Sequence, residues 1–262
     1  NVGNYINNYE ISDECVISNV GVITADDETT FGQGNKVAVL NEAGDANVII
    51  YDGLTSQMAA LMMMAADNRP LWERLHTMVN DYVSNRKSSK GLIGYRAKIT
   101  NTREINNTWI DDDCEINGAS CISETTLKGM TEASVFIGHD VICKNSVVMA
   151  GASVLDGAKI DNCFVGEACH VGRGFSAESS IFFANSYMDN GEACAAFCGP
   201  FSVSHHKASL LIGVETSFYN AGSATNFSNH AYKMGPIHYG SLQRGSKTAS
   251  GAHILMPAQI GA

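Results

Sequence analysis

Val165-Gly166-Glu167-Ala168-Cys169-His170 is followed at once by Val171-Gly172-Arg173-Gly174-Phe175-Ser176. An aliphatic residue recurs at the sixth position, glycine follows it, and a cysteine or phenylalanine stands four places on. A period of six matches neither the two-residue alternation of a strand nor the 3.6-residue turn of a helix, so it marks a repeated structural unit. The same beat runs through Ile11, Ile17 and Ile23, through Ile93 and Ile99, and through Ile137, Cys143, Met149 and Leu155. Isoleucine and valine suit short strands, and the Asp, Asn and Gly between them suit turns. The pattern therefore predicts an all-β solenoid.

Composition agrees with that reading. Of 262 residues, 17% are charged, 25 are glycine and only 4 are proline, which suits many short turns and argues against disorder. The longest apolar run, Met58 to Ala66, is too short to span a membrane. The net charge of −10 is unevenly placed: from Ala193 onward Glu215 is the only acidic residue, against Lys207, Lys233, Arg244 and Lys247. Five of the eight histidines (His205, His206, His230, His238 and His253) share this basic segment. Local positive charge on an acidic chain points to a small anionic ligand rather than nucleic acid, or to nothing more than a solvated face. Cys15, Cys114, Cys163 and Cys169 sit at or beside small-residue positions of the beat, so they read as reduced interior residues in a cytoplasmic protein. Cys194 and Cys198 lack a second paired motif, so no metal site is expected.

Three segments follow. Residues 1–52 carry the first coils, including Phe31 to Asn35 and Val37 to Asn41 read as hexads. In 53–90 the spacing of Leu54, Met58, Leu61, Met62 and Ala65, then of Leu71, Leu75, Met78, Val79 and Tyr82, predicts two antiparallel helices. Asn68-Arg69-Pro70 breaks them, with Pro70 opening the second. Their Met-rich face suits packing on the solenoid flank or binding of a partner helix. Residues 91–262 form the main solenoid, with irregular loops from about 182. The chain stops halfway through a hexad at Ile260-Gly261-Ala262, which predicts a fragment of a longer protein.

The hexads of residues 1–50 and 91–262 resemble the left-handed parallel β-helix of the hexapeptide-repeat transferase superfamily. That resemblance implies three-stranded coils of 18 residues and a homo-oligomer, specifically a trimer. The order of hexads, helical insertion, Phe164 to His170, Gly199 to Lys207 and Ser228 to His238 is similar to an uncharacterised bacterial family of long hexapeptide-repeat proteins, recorded as a domain of unknown function. Asn229-His230-Ala231-Tyr232-Lys233-Met234-Gly235 resembles the segment around the catalytic histidine in the acetyltransferase domain of bifunctional N-acetylglucosamine-1-phosphate uridyltransferases, although Lys233 stands where that family has an apolar residue. It implies acetyl-CoA or another acyl donor as cofactor and a histidine base for a sugar amine.

The candidate bases are therefore His230 and His206. An imidazole titrates near neutrality and can take a proton from an amine or hydroxyl and return it to a thiolate. His205, Lys207, Asn226, Asn229, Lys233, Arg244 and Lys247 are the candidate ligands for an anion. Histidines in Gly/Asn-rich turns also serve structure by bonding carbonyls. Two functions stay open: a transferase acting on a sugar phosphate or nucleotide sugar, and a non-catalytic scaffold or sugar-nucleotide-binding module. An enzyme requires these side chains to share one surface, whereas a scaffold does not.

Overall fold

The computed structural model describes residues 2–41, 47–228 and 239–261, and it is a parallel β-helix. Short strands stack in register into three ladders, one per side of the solenoid. In the regular part the first face runs through Ile142–Lys144, Lys159–Asp161, Ser176–Glu178, Glu192–Cys194, Ser209–Leu211, Asn226–Ser228 and His253–Leu255. The second runs through Val147–Val148, Phe164–Val165, Ile181–Phe182, Phe197–Cys198, Gly213–Glu215, Gly240–Leu242 and Gln259–Ile260. The third runs through Ser153–Val154, His170–Val171, Tyr187–Met188, Val203–Ser204, Asn220–Ala221 and Lys247–Thr248. The N-terminal strands extend the same ladders, Ile6 pairing with Ile23, Ile23 with Ile105 and Ile105 with Ile122.

The beat marks what points inward. Val165, Cys169, Val171 and Phe175 are all buried. Adjacent coils compensate in volume, with Ala177 and Ala193 inside where Phe175 and Phe182 meet edge to face at 6.1 Å. Cys114, Cys143, Cys163, Cys169 and Cys198 fill the interior as free thiols, and Cys15 is half-buried, its thiol donating to the Gly94 carbonyl at 2.9 Å. Burial pushes the Cys114, Cys143 and Cys169 thiols up to about 12, so they are inert.

The coil is shorter than the 18 residues implied by resemblance. Equivalent residues lie 17 apart on most regular coils, as from Val147 to Phe164, and 16 apart from Ile181 to Phe197. Left-handed backbone recurs at the corners, at Asp140, Asn145, Gly151, Gly157, Asn162, Ala168, Gly174, Ser179 and Asn185, and the corner into the second face comes one residue early. A small buried residue, Ser146, Cys163 or Ser180, follows each of the early corners at Asn145, Asn162 and Ser179. The Ser146 hydroxyl donates to the Lys144 carbonyl and accepts the Cys163 N–H at 3.0 Å, and Ser180 does the same with Glu178 and Ala196. These bonds supply backbone partners inside a turn too tight for a sixth residue.

The solenoid is interrupted earlier than the hexads suggest. Residues 31–41 do not form coils: Lys36–Ala38 pairs antiparallel with Asn47–Ile49. The reason lies in contacts distant in sequence. Residues 29–40 run as a strap along the corner between the first and second faces. There Thr29 donates to Glu124, Asn35 to the Asn145 carbonyl and the Leu40 N–H to the Ala195 carbonyl, while Asn162 donates to the Lys36 carbonyl. Gly32 fits only because it lacks a side chain: its φ is +78°, and a Cβ there would lie 2.4 Å from the Glu124 carbonyl oxygen.

Beyond the strap, α1 (Ser56–Met64) and α2 (Arg69–Ser84) form the expected hairpin, capped by the Thr55 and Asn68 side chains, with Pro70 in the first turn of α2. Met62, Ala65, Leu75 and Val79 pack on the outward residues Val147, Phe164, Ile181 and Phe197 of the second face, while Leu61 and Met78 stay exposed. Arg86, after α2, reaches Asp52 at 3.4 Å and lies 5.4 Å from the Trp109 ring centre. We expect Phe164→Ala to cost about 3–5 kcal/mol in urea unfolding, because its ring has no exposed surface and joins hairpin to solenoid. Unchanged stability would show that the hairpin is not docked there.

Candidate functional site

With the second face covered from Val147 to Phe197, no helix among the described residues packs on the other two sides of the regular coils. The first presents Asp161, Glu178 and Glu192. The third carries, in one in-register column, Ser153, His170, Tyr187, Val203, Asn220 and Lys247. Its two margins are the corners that lead into and out of it.

Along the margin leading to the first face, successive coils place Asp156, Arg173, Asp189, His206 and Lys207. Asp156 and Arg173 pair at 3.6 Å. Asp189 Oδ2 lies 2.8 Å from His206 Nδ1, the carboxylate mostly covered and the imidazole 65% exposed. That contact sets a carboxylate beside an imidazole that is open to solvent. On the column itself, His170 Nδ1 lies 3.1 Å from Ser153 Oγ, and its ring stacks on Tyr187 at 4.3 Å and 7°. Burial holds the His170 pKa below its ordinary value, with Arg173 adding to the effect and Asp189 opposing it.

The other margin carries Phe201 and Phe218 on adjacent coils. Their rings are parallel within 3° at 4.8 Å, and the Arg244 guanidinium sits 4.6 Å from the Phe218 ring centre. Both phenylalanines adopt left-handed backbone, with φ of 62° and 63°. That conformation costs a bulky L-residue about 1–2 kcal/mol, and the same corner uses Ala168, Asn185 and Gly245 on other coils. Burial offsets little of the cost, since the two residues stay 45% and 44% exposed.

The structure thus gathers His205, His206, Lys207, Arg244 and Lys247 on one face and its margins. His205 is half-buried, while His206, Lys207, Arg244 and Lys247 are exposed. Lys207 and Lys247 lie two coils apart, about 10 Å along the solenoid axis at the usual strand spacing, with Lys247 on the column and Lys207 at its margin. Asn226 is not part of this group; it stands on the first face between Ser209 and His253. His230, Asn229 and Lys233 lie outside the described residues. A recess of about 310 Å³ between α2 and residues 30–35 holds none of the expected side chains. Among the described residues, no three His, Cys, Asp or Glu side chains gather into a metal-binding group. Nor is any helix among them long and apolar enough to cross a membrane.

Sequence reading counted Glu215 only as a charge. It points into the solenoid with no exposed surface. The Cys198 thiol donates to its Oε2 at 3.0 Å, while its Oε1 has no partner among the described residues. Burial raises its pKa to about 8, so near neutrality the acid is protonated and the segment after Ala193 loses its single negative charge. The signal was present in the sequence, since Glu215 falls at the inward register of Val165 and Cys198.

The fold defines the class as a parallel β-helix solenoid with a docked helical hairpin. Within that class, the chain belongs to the family described as a domain of unknown function, DUF4954, whose model matches residues 1–262. No curated protein matches it.

Glu215 gives a pH test. An unfolded glutamate ionises near 4.5 and the folded one near 8, so stability is fully present below about 4.5. It falls as pH rises toward 8, by on the order of 4 kcal/mol if the shift is borne by this group alone. Urea unfolding of Glu215→Gln should show a flatter profile across that window. An identical profile would mean that Glu215 does not stay protonated.

Proposed function

We propose that this protein is a group transferase of the left-handed, hexapeptide-repeat class. It acts on an anionic sugar, a sugar phosphate or nucleotide sugar, with the third face as its site and an acyl-CoA as donor. The observation that carries the reading is the Asp189–His206 pair, an exposed imidazole 2.8 Å from a mostly covered carboxylate, at the margin of a face that also gathers Lys207, Arg244 and Lys247. His206 Nε2 takes the proton of an acceptor amine or hydroxyl as that group attacks the acyl thioester, then returns it to the departing thiolate. Asp189 stabilises the imidazolium formed between the two transfers. Lys207, Arg244 and Lys247, which have no carboxylate within ion-pair distance among the described residues, hold the anionic groups of the ligands. A second copy of the chain, as in a homo-oligomer, would close a face that stands open in one chain.

The openness of the face, with His206 65% exposed, also favours the scaffold reading, in which the same residues bind a ligand without chemistry. Thiol release from acetyl-CoA, assayed with amino-sugar phosphates as acceptors, separates the two. Turnover lowered about 100-fold or more by His206→Ala, with the melting temperature unchanged, supports the base. A smaller loss is expected for Asp189→Asn. Ligand-induced stabilisation in a thermal-shift screen with no turnover moves the protein to the binding-module class. Neither binding nor turnover removes the third face as a site.

A further inference from the structure

The ring ledge at the far margin of the third face has chemistry that a sugar phosphate does not need. We infer that Phe201, Phe218 and Arg244 form a stacking subsite for a nucleobase, so that the anionic ligand of this face is a nucleoside diphosphate or its sugar conjugate. The inference rests on the reading of the third face as an anion site and narrows its substrate class.

Three observations converge on it. The two phenylalanines occupy left-handed corner positions that other coils give to residues with small or polar side chains, and their rings remain nearly half exposed. They are parallel and one coil apart, so they offer flat π surface beside an edge where a further planar ring can extend the stack. Arg244 brings a flat cation against the same surface, and guanidinium and aromatic faces together suit an electron-rich heterocycle.

The surroundings complete the ligand. Phe201 and His206 flank the strand Val203–Ser204 of one coil, five residues apart and at most about 17 Å even if fully extended. A base on the ledge therefore leaves ribose and diphosphate to cross the face toward His206, with Lys247 on the column and Lys207 at the opposite margin to meet the phosphates. A free phosphate or sugar phosphate would use the lysines and leave the strained rings without a role.

The test uses isothermal titration calorimetry of the whole chain with UDP, ADP and pyrophosphate. Wild type should bind both nucleoside diphosphates at least tenfold more tightly than pyrophosphate. The double variant Phe201→Asn, Phe218→Asn keeps residues that tolerate the corner conformation, as Asn185 does on the coil before, so its melting temperature should not fall. It should lose the preference for the nucleotides while keeping the wild-type affinity for pyrophosphate. Equal affinities in wild type, or a preference that survives in the double variant, would overturn the inference. So would a variant that changes only the sedimenting mass, because the rings would then be a contact between copies. If pyrophosphate and sugar phosphates bind but nucleotides bind no better, the subsite fails and the anion site stands. If no anion binds the wild-type chain, the anion site itself falls.

Discussion

In-register stacking of one coil on the next governs everything else in this molecule. Each backbone group of a coil bonds to the coil above or below, as Gly166 N–H does to the Phe182 carbonyl and Cys163 N–H to the Ser146 hydroxyl. Registration converts position within a coil into environment: a residue at a given place points inward, outward or into a corner on every coil. The inward columns become a continuous apolar stack from Ile17 to Met256, and left-handed corners recur because the chain must turn sharply three times per coil. A buried hydroxyl after the early corner is enough to shorten the repeat by one residue.

The insertion adds asymmetry to a repeating scaffold. A strap along one corner carries the helical hairpin onto the second face, where Phe164, Ile181 and Phe197 would otherwise lie open to water. Burying that side leaves the first face, with Asp161, Glu178 and Glu192 beside Lys159, and the third, with imidazoles, aromatic rings and cations beside Asp156 and Asp189. A solenoid with identical sides would offer no single surface for a ligand; covering one side makes the remaining sides unlike.

Two features run against the economy of the repeat, and both fall on the late coils. Glu215 occupies an interior position that other coils fill with valine, phenylalanine or cysteine, and it remains there only as a neutral acid. Phe201 and Phe218 hold a backbone conformation that favours glycine or asparagine. Deviations from a local rule without local compensation mark the places where a fold has been adapted to a task.

The six-residue beat determined the class of fold, the inward residues Val165, Val171 and Cys169 and the reduced state expected of the thiols, and the helical spacing in 53–90 determined the two helices, with Asn68 and Pro70 opening the second. These follow from side-chain periodicity, a property of residues close in sequence. Only the tertiary structure decided that residues 31–41 leave the solenoid, that the hairpin covers the second face, and that Asp189 meets His206. It also turned Glu215 from a surface charge into a buried neutral acid, and placed Lys207 and Lys247 on one face but Asn226 on another. Those outcomes depend on which coil lies over which and on residues as far apart as Leu40 and Ala195, where burial and registration, not local pattern, set the energy.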